Sequence, residues 1–361
     1  MERDFRFNLE EFAGAIGDYG TLLPIVLGVA LVVDINLSVV FFFFALSYIV
    51  SGLYYKLPMP IEPMKAIGAI SIGGNLSVNE IAATGIIMGV ILITFGYFDI
   101  VKKIKDMIPA WLVRGIQMGL ALILVNTSFT YLKDDLVLSL VSVLIIAIFY
   151  VLSIRDISAL VVFLLGLTVG LINYGVPDVT LFSMPSLIIP SHIEFGHAFF
   201  TGVLPQLPLS LGNAILATTL LINDLLGRNV PERKLAYSMG LMCIISSPFG
   251  GFPMCHGAGG LAAQYRFGAR TGGSNIISGV ILLIIALFFA SPEIINIIPI
   301  GVLGAMIFFT ATQMFQSALK TDKKILMILT GIMSYLFNIA IAVLVMVILD
   351  ILIKKFSSFD Y

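Results

Sequence analysis

Long charge-poor stretches, each close to the length of a membrane-spanning helix, constrain this chain more than any other feature. A helix needs roughly 20 mostly apolar residues to cross a bilayer. The stretches lie at 12–33, 39–55, 81–97, 108–129, 136–154, 157–176, 195–223, 235–249, 271–292, 294–319 and 325–353. They recur along the whole sequence, so the pattern predicts an all-α membrane protein with many spans.

The composition supports this class and argues against several others. Hydrophobic residues make up 59% of the 361 positions and charged residues 11%, whereas about a quarter of a typical globular chain is charged. A net charge of -1 provides no basic footprint, so nucleic acid is not expected as a partner. Two cysteines and three histidines, without CxxC or HxxxH spacing, predict no metal site, and we expect no cofactor.

Two more apolar segments, 58–74 and 253–268, are too short and too rich in Pro and Gly for continuous spans. We expect each to be an extended stretch followed by a half-helix, which would begin near residues 61–63 and 255–259. Both begin with a Pro-Met pair and occupy corresponding places in the chain, so about fourteen segments divide into a 7+7 inverted repeat. The repeats are residues 1–180 and 190–361, forming one integrated membrane domain with no soluble domain.

Lys and Arg cluster on alternate connections, which is the positive-inside pattern. The connection at 173–194 carries neither residue and is expected to be external. We therefore predict a multi-pass protein of the cell membrane with the N- and C-termini in the cytoplasm.

The two half-helices are predicted to begin near mid-membrane and to face each other. A helix N-terminus carries unpaired N–H groups and an effective charge of about +0.5, so two of them form a pocket suited to an anion. The alternative is that Pro and Gly only kink packed helices. His256 either donates to an anion or caps its turn.

Ionisable and polar side chains flank this pocket. Lys65 lies one turn after Glu62: either Lys65 contacts the anion and Glu62 accepts a proton, or the two form a purely structural pair. Asp18 either caps a helix break or couples to an ion. Gln206, Ser210 and Asn213 form a polar stripe at i, i+4 and i+7, which faces a cavity or bonds neighbouring helices. The candidate substrate-binding residues are Pro63, Met64, Lys65, Gln206, Ser210, Asn213, His256, Gly257, Ala258 and Gly259, and the candidate ion-coupling residues are Asp18 and Glu62.

Four motifs resemble the molybdate transporters, which are relatives of the sulfate permease and nucleobase transporter folds. They are AGAIGDYGTLLP at 13–24, PMPIEPMKAIGAI at 58–70, LPQLPLSLGNAI at 204–215 and PMCHGAGGLAAQYRFGARTG at 253–272. The resemblance implies a core domain from the first four segments of each half and a gate domain from the last three. It also implies molybdate, and tungstate as a second candidate, as the substrate. Plant-type members usually have Gln where Glu62 stands, and we expect no C-terminal regulatory domain.

We therefore predict a transporter, not an enzyme, that imports molybdate by alternating access with H⁺ as the coupling ion. Its other partners are the lipid bilayer and, in a homodimer, a second copy of the chain. The alternatives are a sulfate-type or nucleobase carrier on the same fold, a passive channel, and a membrane enzyme. The last lacks support because the sequence has no GxSxG, HExxH or GxxxxGK[ST] motif.

Overall fold

The computed structural model of the chain describes residues 5–104, 109–152, 157–175, 182, 184–289 and 297–357. Helices dominate both halves. The first half contains α1 (Leu9–Gly17), α2 (Tyr19–Val32), α3 (Leu37–Tyr55), strand β1 (Glu62–Pro63), α4 (Lys65–Ile72), α5 (Val78–Tyr97), α6 (Ile100–Ile104), α7 (Ala110–Asp134), α8 (Leu136–Val151) and α9 (Ser158–Tyr174).

The second half also contains long helices on both sides of a short strand. It contains α10 (His192–Leu226), α11 (Glu232–Ser246), strand β2 (Met254–Cys255), α12 (Ala258–Arg266), α13 (Gly272–Phe288), α14 (Ile300–Ala318), α15 (Lys324–Leu336) and α16 (Ile339–Ser357). The apolar tract at 325–353 thus forms two helices, which are separated at Phe337.

Six helical segments in the described part of the chain are long and apolar enough to cross a bilayer. They are Leu9–Val32, Leu37–Tyr55, Val78–Tyr97, Ala110–Asp134, His192–Leu226 and Ile300–Ala318. Shorter apolar helices, among them α8, α9, α13 and α15, lie beside them. The chain is therefore a mostly helical, multi-pass membrane protein, and the count of fourteen segments stays a prediction.

Helices of the first half pack against helices of the second half in two groups. In one group α3 packs on α13, and α5 packs on α11; in the other, α7 packs on α14 and α15. The largest fully buried side chains include Phe44, Tyr48 and Phe252. Most of the buried hydrophobic side chains form one cluster, which includes Ile67 of α4 and Leu261 of α12.

Helix α10 is irregular because two prolines interrupt its hydrogen bonds. Pro205 and Pro208 lack the N–H that a regular turn needs, and wider π turns occupy Phe199–Val203 and Ser210–Ala217. Such π turns occur frequently at functional sites. Gln206, Ser210 and Asn213 all lie at or beside this distorted part.

Candidate functional site

The two Pro-rich extended segments meet and pair as the strands β1 and β2. The pairing is antiparallel, with Glu62 opposite Cys255 and Pro63 opposite Met254, and Met64 N–H donates to the Pro253 carbonyl at 2.9 Å. Helix α4 consequently begins at Lys65, two residues beyond the predicted 61–63, because residues 62 and 63 are held in the strand pair. Helix α12 begins at Ala258, within the predicted range.

The N-terminus of α12 binds a carboxylate from the other half of the chain. Gly260 N–H donates to Glu62 Oε1 at 2.9 Å, and Glu62 is fully buried. A Cβ on Gly257 or Gly260 would overlap the Glu62 carboxylate, so both positions need glycine for this close approach. A negative charge is stabilised at this end of a helix, and here the Glu62 carboxylate supplies that charge.

Lys65 supplies the positive charge of the site. Its Nζ lies 2.8 Å from Glu62 Oε2, and its side chain keeps 21% of its surface accessible while that of Glu62 keeps none. An ammonium group at the bilayer centre is costly without a partner, and Glu62 provides that partner here. The accessible part of Lys65 faces a cavity, so the same ammonium can also reach a solute.

Asp18 lies at the break between α1 and α2, but its side chain caps neither helix. Tyr48 Oη donates to Asp18 Oδ2 at 2.7 Å, whereas within the described part of the chain no donor reaches the buried Oδ1 atom. A Cβ on Gly260 would overlap both Asp18 Oδ1 and Glu62 Oε1, so these two oxygens share one small space. The two carboxyl groups therefore lie close to each other beside Gly260.

The polar stripe of α10 contacts the start of α4. Gln206 Oε1 accepts from Ala66 N–H at 2.8 Å, and Gln206 Nε2 donates to Ser210 Oγ at 3.0 Å. Both side chains are buried. Gln206 therefore satisfies a first-turn donor of α4, which would otherwise lack a partner, and Ser210 orients that amide.

A polar cavity of about 290 Å³ extends from Lys65 to the ends of α12 and α14. Three of the predicted site residues, Lys65, Asn213 and Gly259, line it. Nothing lies within 4 Å of the point where a Cβ on Gly259 would stand, so this glycine leaves space at the start of α12. Arg266 and Lys320 line the outer part of the cavity, which gives its wall a positive character.

The remaining predicted residues are not among those that line this cavity. Pro63 and Met64 are buried in and beside the strand pair, and Gly257 and Ala258 form the start of α12. His256 is fully buried, with Nδ1 3.0 Å from the Pro60 carbonyl and Nε2 2.8 Å from Ser238 Oγ. Its ring thus positions the extended segment that precedes Glu62.

Sequence reasoning missed the side of the cavity that α7 and α14 provide. Gln117 on α7 and Thr310, Gln313 and Ser317 on α14 line the cavity opposite the half-helices. The three residues of α14 stand at i, i+3 and i+7, the same kind of polar stripe that marked α10. That spacing could have identified the three residues of α14 from the sequence.

A membrane-embedded cavity at the meeting point of two half-helices, with a lysine at its base, defines a solute transporter built on discontinuous helices. The family described as "Molybdate transporter of MFS superfamily" matches residues 10–124 and 198–314. Molybdate transporter 1 of Arabidopsis thaliana is 32% identical over 89% of this chain and 82% of its own length. Molybdate transporter 2 of the same plant is 30% identical over 87% and 80%.

The chain therefore belongs to the molybdate transporter family, and it is a transporter and not an enzyme. This confirms the resemblance carried by the four motifs. Among solved structures, the transmembrane domain of a cyanobacterium bicarbonate transporter, BicA, superposes with a TM-score of 0.69 at 17% identity. The superposition covers 94% of this chain and 98% of that domain. That likeness establishes a fold of the sulfate permease type.

Proposed function

We propose that this protein is a secondary active transporter that imports molybdate together with a proton through the cavity at Lys65. The observation that carries the proposal is the position of the Glu62 carboxylate, which is bound by Lys65 Nζ and by the N-terminus of α12 at the edge of a positively lined cavity. Those two donors are what a tetrahedral oxyanion needs. In this arrangement an internal carboxylate occupies them.

Substrate and proton are coupled because Glu62 competes with the anion. An ionised Glu62 neutralises Lys65 and takes the Gly260 N–H, and it also repels a dianion in the cavity. Protonation of Glu62 removes its charge, releases Lys65 from the ion pair and frees the α12 donor. A proton that enters with molybdate therefore turns a self-occupied site into an anion site.

Asp18 belongs to the same proton site. Two acceptor oxygens, Asp18 Oδ1 and Glu62 Oε1, share a buried space, and like charges this close together repel each other. One shared proton between them gives Asp18 Oδ1 its missing partner, while Tyr48 holds the other Asp18 oxygen. The shared proton stays in the pair, and the coupling proton is a second one, which arrives and leaves with the substrate.

Alternating access follows from the two groups of packed helices. We assign the half-helices and Glu62 to a core group with α3, α5, α11 and α13, as the family resemblance implies, and Gln117 and Thr310 to a gate group around α7 and α14. Movement of one group against the other would expose Lys65 on either side of the membrane. We assign fourteen segments in a 7+7 inverted repeat, with the repeats at 1–180 and 190–361, and the antiparallel pairing of the corresponding segments β1 and β2 supports this assignment.

The charge pattern supports the orientation. With both termini in the cytoplasm of a cell whose plasma membrane holds the protein, the cavity end at Arg266 and Lys320 faces the cytoplasm. The described conformation is then the inward-facing one. Asn213, Gln117 and Gln313 supply amide donors to the remaining oxygens of molybdate, or of tungstate, which has the same tetrahedral shape and charge.

The test is uptake of labelled molybdate into proteoliposomes, with a pH gradient imposed or collapsed and with tungstate, sulfate or uracil as competitors. We expect saturable uptake that needs the gradient, is blocked by tungstate and is insensitive to uracil. Block by excess sulfate would move the assignment to a sulfate-type permease, and block by uracil to a nucleobase carrier. No flux under any gradient would refute the proposal.

The coupling role is tested with Glu62→Gln and Asp18→Asn. A neutral amide at 62 mimics the protonated acid, so Glu62→Gln is expected to bind molybdate while its uptake loses its dependence on pH. Asp18→Asn is expected to shift the pH at which uptake is half-maximal and to leave a pH dependence in place. An unchanged pH profile in Glu62→Gln would remove Glu62 as the proton site.

A further inference from the structure

An open groove of about 650 Å³ lies between α3, α5 and α11, apart from the transport cavity. It extends from Phe43 and Ile245 at one end to Tyr55 and Arg233 at the other. Twelve residues of helix advance about 18 Å, and one leaflet occupies half of the roughly 30 Å hydrocarbon core of a bilayer. The groove is therefore as long as one leaflet is thick.

The groove changes in chemistry along its length. One end is lined by Phe43, Leu46, Leu241 and Ile245, which is a surface for hydrocarbon. The other end carries aromatic hydroxyls and two cations. The ring of tyrosines at that end is typical of the level where the bilayer meets water.

The cationic end is arranged for an anionic group. Arg233 and Lys234 are both exposed, and Lys234 Nζ lies 5.9 Å from the centre of the Tyr54 ring. The residues that line the groove, all in the described part of the chain, include no Asp or Glu. Tyr54 and Tyr97 are 60% and 77% exposed, so their hydroxyls are accessible to a headgroup.

We propose that this groove binds one anionic phospholipid, with its phosphate at Arg233 and Lys234 and one acyl chain against Leu46, Leu241 and Ile245. Each cation near a membrane surface raises the affinity for an anionic lipid several-fold. Two of them at one end select an anionic headgroup over a zwitterionic one. The proposal is independent of the transported substrate.

The wall of the groove is connected by hydrogen bonds to the half-helix crossing. Tyr55 Oη donates to the Lys234 carbonyl at 3.0 Å and lies 2.7 Å from Ser238 Oγ. Ser238 Oγ in turn lies 2.8 Å from His256, whose ring bonds the carbonyl of Pro60. A lipid held at Lys234 therefore stabilises the position of the extended segment that carries Glu62.

Native mass spectrometry of the purified protein, with phosphatidylglycerol and phosphatidylcholine of the same acyl chains added, tests this. We expect one phosphatidylglycerol to be retained in preference to phosphatidylcholine. The double variant R233Q/K234Q should bind phosphatidylglycerol about ten-fold or more weakly. The matched control is K102Q/K103Q, which removes two exposed lysines of α6 that do not line the groove, and it should keep the preference.

A second pair of variants tests whether the lipid binds in the groove or elsewhere on the bilayer-facing surface. Leu241→Trp fills the groove, whereas Leu220→Trp adds the same bulk at an exposed position of α10 outside it. We expect only Leu241→Trp to lose the retained lipid. Equal retention of the two lipids by the unsubstituted protein would overturn the proposal. So would a preference that survives in R233Q/K234Q, or a dimer that covers this face and holds no lipid.

Discussion

The half-helices α4 and α12 each follow one of the two paired strands, yet they contribute different things to the site. Helix α4 begins with a cation, Lys65, and every residue from Ala66 to Ile72 is buried. Helix α12 begins in the run GAGG, where Gly259 is open to the cavity and Gly260 N–H binds a carboxylate. One half-helix supplies charge, and the other supplies backbone donors and space.

The difference shows how one pocket is built from two dissimilar half-helices. A second lysine on α12 would repel Lys65, and a second glycine-rich start on α4 would leave the site without its cation. Glu62 joins the two, because one carboxylate oxygen pairs with Lys65 and the other accepts from Gly260. Breaking either contact should affect the two half-helices unequally.

Lys65→Gln is expected to have the largest effect. It leaves Glu62 buried without its cation, and removal of one partner of a buried ion pair costs about 3–5 kcal/mol. Molybdate binding should also be lost, because the cation beside the start of α12 is gone. Thermal unfolding in detergent and isothermal titration with molybdate measure the two effects.

The double variant K65Q/E62Q is the control for that experiment. Removal of both charges takes away the unpaired carboxylate, so stability should recover most of the loss while molybdate binding stays absent. If Lys65→Gln bound molybdate as well as the unsubstituted protein, Lys65 would have only a structural role.

Gly260→Ala, compared with Gly259→Ala, comes next. The added methyl group at 260 overlaps Asp18 Oδ1 and Glu62 Oε1, and overpacking of this kind costs about 1–3 kcal/mol. The same methyl group at 259 meets nothing within 4 Å, so stability should change by less than about 0.5 kcal/mol. Uptake should be lost in the first variant and only reduced in the second, where the cavity becomes smaller. Equal effects in the two variants would contradict a specific fit of the carboxyl pair over Gly260.

Proline and glycine residues explain what could be predicted from the sequence. Pro58, Pro60 and Pro63 exclude a regular helix before Lys65, and the glycines at 257–260 permit a close backbone approach, so the two broken segments follow from neighbouring residues alone. The family resemblance rested on the same segments. The start of α4 differed because the pairing of β1 with β2 joins residues about 190 positions apart.

Contacts between distant segments explain the rest. The choice of Gly260 N–H as the partner of Glu62, and of Tyr48 as the partner of Asp18, depends on helix packing that no local pattern encodes. His256 illustrates the limit: its place beside the α12 start suggested an anion donor, but both ring nitrogens bond to protein atoms. Gln117 was missed because it belongs to no polar stripe on α7, where the polar residue one turn before it is Arg114, which donates to Gln117 Oε1 at 3.0 Å.

Gln206→Leu, compared with Ser210→Ala, is the mildest test of the contrast between the half-helices. Gln206 accepts the Ala66 N–H, so leucine leaves a first-turn donor of α4 without its partner, and loss of such a cap costs about 1 kcal/mol. Ser210 only accepts from Gln206, so alanine there should cost about 0.5 kcal/mol, the value of one weak hydrogen bond. Hydrogen exchange of the α4 amides should rise in Gln206→Leu and stay unchanged for α12, since α12 has its own anionic partner in Glu62. If both half-helices exchanged faster, the two N-termini would form a single cooperative unit, and the division of roles between α4 and α12 would not hold.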